Sequence, residues 1–276
     1  MERLLWKCIG KTRDGKRRYT DDTRMSLDLA EYLIENQEID QDELARKFAD
    51  SYRWSRGYGP AAGKLLKGIR RGKDWSQLNR ARFSEGSFGN GAAMRAPVIG
   101  LFCCNQPGQI EEYCRLASEI THAHPLAIDG AIIIAHMVRA MLLDISPSDA
   151  LRASIKNLRT ETFLAKMSEV LELVRNKAEF TPRQVSRELG NKISAIASCP
   201  AAIYIALFYL NRSFEDLLDF VRRLGGDTDT IAAMAGAIWG ARNGIEAFDE
   251  DLIHSIEDWE KIRSLAKALY SRSSEN

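Results

Sequence analysis

Two short runs carry residue types that could do chemistry: Thr20-Asp21-Asp22-Thr23 and Gly225-Gly226-Asp227-Thr228-Asp229-Thr230. Each sets two carboxylates among hydroxyls where a helical pattern starts. In the second run the glycines let the backbone turn sharply. The residues that follow, Ile231 to Gly240, are almost all Ala, Gly, Ile, Met and Trp, so their helix is expected to be buried. A buried helix that opens on bare carboxylates needs a cation or hydrogen bonds to offset the charge. Oxygen donors without Cys or His suit hard divalent cations, and four carboxylates could surround two of them. The competing reading is plain helix capping, since Asp and Thr cap helices and acids favour helix N-termini. For either run alone capping is the simpler account, and nothing in the spacing shows that the two runs meet.

Three further stretches could bind rather than react. Gly57-Tyr58-Gly59-Pro60 precedes a helical pattern over 61–70 and could turn backbone N–H groups toward a phosphate. Alone, it reads more simply as a loop with Pro at the first helical position. A long polar loop over 71–91 ends in Phe83-Ser84-Glu85-Gly86-Ser87-Phe88-Gly89-Asn90-Gly91 and feeds a helix expected over 92–102. Its three glycines permit close backbone approach, Ser87 and Asn90 supply hydrogen-bond donors, and Phe83 and Phe88 offer faces for a base. His122 and His124 form a His-x-His pair with too few companions for zinc.

The elements that must position these residues read as helices throughout. Met25, Leu29, Tyr32 and Leu33 mark a helix over 21–35, and Asp40 with Glu43 resembles a capping box for the next. Residues 126–143 read as a buried helix. Residues 194–210 are apolar nearly all round, with Pro200 expected to kink or restart the helix. Gly236, Gly240 and Gly244 recur every four residues beside Ala233 and Ala237. That stripe is expected to admit another helix closely and to hold Asp227 and Asp229 on a rigid base. No strand, internal repeat or linker stands out, so the chain reads as one all-α domain.

In order along the chain, these runs resemble the ADP-ribosylglycohydrolase superfamily. The resemblance rests on Tyr19 to Thr23, Arg56-Gly57-Tyr58-Gly59, Gly86 to Arg95, Thr121-His122-Ala123, Glu188-Leu189-Gly190-Asn191 and Gly225 to Thr230. It covers about residue 19 onward and looks strongest to the branch that removes ADP-ribose from serine and cleaves poly(ADP-ribose) and O-acetyl-ADP-ribose. It implies a compact multi-helix orthogonal bundle over 20–276; residues 1–19, basic in composition, are expected to form a flexible segment before it. It also implies two Mg²⁺ (or Mn²⁺) held by Thr20, Asp21, Asp22, Asp227, Asp229 and Thr230. Substrate contacts are implied for Gly57, Tyr58, Gly59, Phe83, Glu85, Gly86, Ser87, Phe88, Gly89, Asn90, Gly91, His122, Asn191 and Ile193. In that reading the diphosphate lies along 57–59 and 85–91, and Phe83 and Phe88 sandwich adenine. His122 reaches a ribose or phosphate, and Asn191 and Ile193 line the adenosine pocket.

The resemblance is incomplete before Thr20. The serine branch carries a Gly-rich first helix and a flap glutamate near its metals. Here nineteen residues precede Thr20, with Glu2 and Asp14 their only acids. Asp21 or Asp22 is therefore the expected catalytic carboxylate. The alternatives are a weak or inactive ADP-ribose-binding module, and a structural protein whose acidic loops are caps.

Composition narrows the class. The chain has 276 residues, is 45% hydrophobic and 28% charged, and carries a net charge of +1. That balance suits a globular protein and creates no field that would favour DNA or an anionic membrane. The partner implied is an ADP-ribose-containing small molecule or an ADP-ribosylated protein. The apolar run Ala131 to Ala135 is too short to span a bilayer. Five cysteines without metal spacing read as reduced thiols, and the first residues lack a signal-peptide core, so a cytoplasmic location is expected.

Overall fold

Helices make up the regular structure of the computed structural model, which describes residues 10–275. Among them there is no strand, only three isolated β-bridges, as the all-α reading expects. Helix α1 (Asp21–Asn36) buries Met25, Leu29 and Leu33 along one face. Asp40 caps α2 (Gln41–Ser51) by accepting from the Glu43 backbone N–H. Pro60 opens α3 (Pro60–Arg70), where its missing N–H is not needed. The stretch 71–91 is not all loop, because Asp74 caps a short α4 (Trp75–Leu78). Nor is 92–102 a single helix. Pro97 cannot donate to the preceding turn, so a 3₁₀ turn (Ala93–Arg95) gives way to α5 (Pro97–Phe102).

Then follow α6 (Ile110–Glu119), α7 (Pro125–Leu142), α8 (Pro147–Ile155), α9 (Glu161–Arg175) and α10 (Pro182–Glu188). The chain continues through α11 (Cys199–Phe208), α12 (Phe214–Leu224), α13 (Thr228–Asn243), α14 (Glu250–His254) and α15 (Trp259–Glu275). Helix α7 is the hub, packed against α5, α6, α8 and α13. Its mean hydropathy of 1.5 over 18 residues would suffice to cross a membrane, yet 67% of it is buried among the other helices. Gly100 lets α5 approach it, since a Cβ there would lie 2.3 Å from the Ala135 carbonyl oxygen. Pro200 restarts the apolar stretch after 195–197 rather than kinking it.

The glycine stripe of α13 works differently from its expected use. Gly236 and Gly240 face the rings of Phe214 and Phe248, at 3.3 and 3.4 Å from a built Cβ. Those rings close over Trp239, with centroids 5.3 Å from it. The space is filled by aromatic side chains, not by a second helix backbone.

The basic segment expected to be flexible is tied down where it is described. Arg17 donates its backbone N–H to the Ser255 carbonyl and accepts from Glu257 N–H, at 2.7 and 3.0 Å. Tyr19 N–H donates to Glu257 Oε1 at 2.8 Å. Residues 1–9, including Cys8 and Glu2, lie outside the described residues.

Candidate active site

Helices α1 and α13 pack against each other, so the two acidic runs meet. Neither run caps its helix with a side chain. The Thr20 hydroxyl instead donates to Asp22 Oδ2 at 2.6 Å. Asp22 is 4% exposed, and its Oδ1 is sealed from solvent with no hydrogen-bond partner. Burial, with Asp22, Asp229 and Asp227 nearby, pushes the Asp21 carboxyl up to about 8. Burial and Asp229 push Asp22 up to about 6, against the pull of the Thr20 and Thr230 hydroxyls. Asp227 rises to about 6 through burial and its acidic neighbours, although an Asn90 hydrogen bond holds it down. The mutual repulsion is that of a cluster lacking a counter-charge.

Side chains here bond to one another, so the cluster is not a finished cage. Among the described residues no group of three or more His, Cys, Asp or Glu side chains is arranged to hold a metal ion. Asp22 accepts from the Thr20 hydroxyl and Asp227 from the Asn90 amide, while Asp22 Oδ1 is left without a partner.

Three loops are stitched around this cluster. Asn90 N–H donates to the Ile193 carbonyl at 2.9 Å and Ala195 N–H to the Phe88 carbonyl at 3.0 Å, forming the Gly89–Ser194 bridge. Asp227 N–H donates to the Asn191 carbonyl at 2.9 Å. That approach requires Gly226, which has φ 74° and where a Cβ would lie 2.0 Å from the Asn191 oxygen. Asn90 Nδ2 donates to Ser198 Oγ and Asp227 Oδ2, at 3.1 and 2.6 Å.

A family model described as ADP-ribosylglycohydrolase matches residues 3–276. The chain belongs to the ADP-ribosylglycohydrolase family. It is 32% identical to human ADP-ribosylhydrolase ARH3 over 285 residues, covering 91% of this chain and 78% of that protein. It is 34% identical to an Escherichia coli protein, the uncharacterized YegU, covering 85% and 74% of the two chains. A solved structure, an ADP-ribosylglycohydrolase-related protein complex, matches 92% of this chain at a TM-score of 0.62 and 24% identity, which speaks for the fold alone. The family match takes in residues 3–19, which the motif resemblance left aside.

Within the ADP-ribosylglycohydrolase fold, the candidate residues fall into two sets. The loop 85–91, Asn191 and Ile193 lie on the α13 side of the cluster through the contacts above, and the His122 ring packs against Gly89 and Gly91 of that loop. Glu85 is exposed and faces His124 at 3.6 Å, and Ser87 Oγ accepts from Gly89 N–H at 3.3 Å. Gly86 (φ 87°) is buried against Ala123. Ile193 is 73% exposed at the rim. Gly57, Tyr58 and Gly59 stand on the α1 side. The Tyr58 hydroxyl is sealed without a partner, and burial with Asp28 and Asp21 nearby raises its pKa. Gly57 and Gly59 are exposed at the start of α3.

The expected sandwich of Phe83 and Phe88 is not formed. Their centroids lie 5.8 Å apart with planes 54° apart, so the rings touch each other. A base between parallel rings needs roughly 7 Å, two van der Waals spacings. Phe88, 44% exposed, offers a single face, with its other contact an edge-on His124.

Sequence reasoning misses Arg95, Ser198 and Asp28, all buried in or beside the site. For Arg95 a signal was present: a lone cation between Ala92-Ala93-Met94 and Ala96-Pro97 has no solvent-facing register.

Proposed function

We propose that this chain hydrolyses the glycosidic bond joining ADP-ribose to a protein side chain, to poly(ADP-ribose) or to an O-acetyl group, with two divalent cations, Mg²⁺ or Mn²⁺. The supporting observation is that Asp22, Asp227 and Asp229 lie close enough to Asp21 to raise its pKa, while Asp22 Oδ1 is a buried oxygen with no partner. Thr20, Asp21, Asp22, Asp227, Asp229 and Thr230 would hold the cations. They fit because every donor is an oxygen and the cluster lacks positive charge. The cations, when bound, would polarise ribose oxygens and a water. Capping, the simpler account of either run alone, is weakened because neither run makes a side-chain cap.

The chain's own groups account for the rest. Ionised, Asp21 or Asp22 accepts the proton of the attacking water on a carboxylate oxygen. Backbone N–H groups of 57–59 and of the loop 85–91 face the diphosphate. Phe88 gives adenine one stacking surface, and Asn191 and Ile193 bound the nucleoside. Similarity to a protein named ADP-ribosylhydrolase supports an ADP-ribosyl substrate. Cys103, Cys104, Cys114 and Cys199 are buried free thiols, which suit a reducing compartment such as the cytoplasm.

Single-turnover release of ADP-ribose from a serine-ADP-ribosylated peptide tests the reading. Release with Mg²⁺, none with EDTA and none from Asp229→Ala is the expected pattern. ADP-ribose binding without release from any linkage would replace the hydrolase with a binding module.

A further inference from the structure

Behind the glycine loop, Arg95, Thr121 and His122 are joined by hydrogen bonds. Arg95 is 1% exposed and carries the only guanidinium in this network. Its acceptors are the Gly91 and Ala117 carbonyls, Thr121 Oγ1 and, more distantly, Met25 Sδ, none of them charged. Its guanidinium also lies 5.1 Å over the Phe48 ring. A buried cation without a carboxylate partner is held at a loss of hydration, so its fixed donors invite a reason.

The reason lies two bonds further on. A guanidinium can only donate, so Thr121 Oγ1 accepts from Arg95 Nη2 at 2.8 Å. The same Oγ1 lies 2.7 Å from His122 Nδ1. Thr121 is 5% exposed and, among the described residues, has no other partner to take its hydroxyl hydrogen. The hydrogen therefore goes to Nδ1, which makes that nitrogen the acceptor. In a neutral imidazole the proton then sits on Nε2. The reverse tautomer would give Thr121 two incoming hydrogens and strand its own.

The other ring edge lies against the glycine loop. A Cβ on Gly91 would stand 2.5 Å from His122 Cε1, and one on Gly89 would stand 3.2 Å from Nε2. Among the described residues no protein group accepts from Nε2, and His122 is only partly buried. Burial and the Arg95 charge hold the imidazole neutral, with its pKa down at about 3.

We propose that Arg95 is a positioning residue that acts through Thr121 to hold His122 as the Nε2–H tautomer, so that the ring offers the bound ligand a donor and never an acceptor. The ligand atom it takes is an oxygen acceptor, a ribose hydroxyl or a phosphate oxygen. Naming that ligand as ADP-ribose rests on the function proposed above; the tautomer does not.

Two-bond ¹H–¹⁵N spectra of histidine-labelled protein at pH 7 test this, with His122 assigned by its loss in His122→Gln. The expected wild-type spectrum, without ligand, shows Nε2 protonated and Nδ1 as a hydrogen-bonded acceptor. Thr121→Val shifts the Nδ1 resonance and weakens ADP-ribose binding in Mg²⁺ about tenfold, the effect of one lost hydrogen bond. Thr121→Ser restores both. A wild-type Nδ1–H or mixed tautomer overturns the proposal, as does a Val variant with unchanged Nδ1 resonance and affinity. The wild-type spectrum decides even if the Val variant does not fold. A wild-type protein with the expected tautomer that binds no ADP-ribose sinks the proposed function and leaves the relay intact.

Discussion

Asn90 donates from Nδ2 to Asp227 Oδ2 across 2.6 Å, and this contact joins the glycine loop to the acidic loop. The same amide donates to Ser198 Oγ, anchoring it to the residue that precedes α11. Asn90→Ala is expected to destabilise the fold by about 1–3 kcal/mol, the range for unpairing a buried polar group. It should also raise the Asp227 pKa further, since the Asn90 bond is what holds it down. Urea denaturation measures the first effect. An Ala variant as stable as the parent would show that the two loops are held by their backbone bonds alone.

Gly225 and Gly226 separate backbone strain from collision. Both have positive φ, at 70° and 74°. Nothing lies within 4 Å of a Cβ on Gly225, while one on Gly226 would strike the Asn191 carbonyl. Gly225→Ala should cost about 1 kcal/mol from its left-handed backbone. Gly226→Ala must also displace the 191–194 loop, and is expected to cost about 3 kcal/mol or more. Thermal melts of the two variants check the ranking, and equal losses would contradict the close approach.

A divalent cation should stabilise the native chain because it relieves repulsion that burial has intensified. At a hundred times its Kd, Mg²⁺ would add about 2.7 kcal/mol. Asp22→Asn should abolish that response. The same variant, without metal, should be at least as stable as the parent, because a buried like charge has gone. Calorimetric melting with and without Mg²⁺ reads both effects, and a parent protein indifferent to Mg²⁺ and Mn²⁺ would remove the basis for the cation site.

His122 should make the fold acid-sensitive. Its native pKa lies near 3, below the ordinary 6.5 of an unfolded histidine. Between those values the unfolded chain binds a proton that the native chain refuses. Its contribution is thus complete above pH 6.5 and is lost as pH falls toward 3, with a limiting slope of about 1.4 kcal/mol per pH unit. Burial lowers His136 as well, although Glu111 opposes it. Comparing the pH dependence of unfolding in the parent and in His122→Gln isolates the His122 part. Identical slopes from pH 7 to pH 5 would mean that His122 is not held neutral.

Local chemistry was legible in the sequence, and packing partners were not. The acidic runs and the loop from Glu85 to Gly91 stand out because composition and spacing are properties of neighbours in the chain. That they meet depends on α1 lying against α13, which no local pattern encodes. The period of Gly236 and Gly240 announces that something bulky lies over α13, without saying whether it is a helix or the rings of Phe214 and Phe248. Two phenylalanines in one glycine-rich loop suggest faces for a base, but only the 5.8 Å separation of Phe83 and Phe88 shows that they lean on each other. The whole of the Arg95 relay depends on which way Thr121 turns its hydroxyl, information carried by no single residue.

Between Asp22 and Asp229 lie all the helices from α2 to α12. A ribosome making this protein releases α1 long before α13, so a nascent chain holds one acidic pair with no second to oppose it. Contacts of such sequence separation close late in folding. The carboxyl cluster therefore exists only in a molecule that has been synthesised through α13 and folded around α7. An unfinished or clipped product that kept every other loop would still have nowhere to concentrate its negative charge.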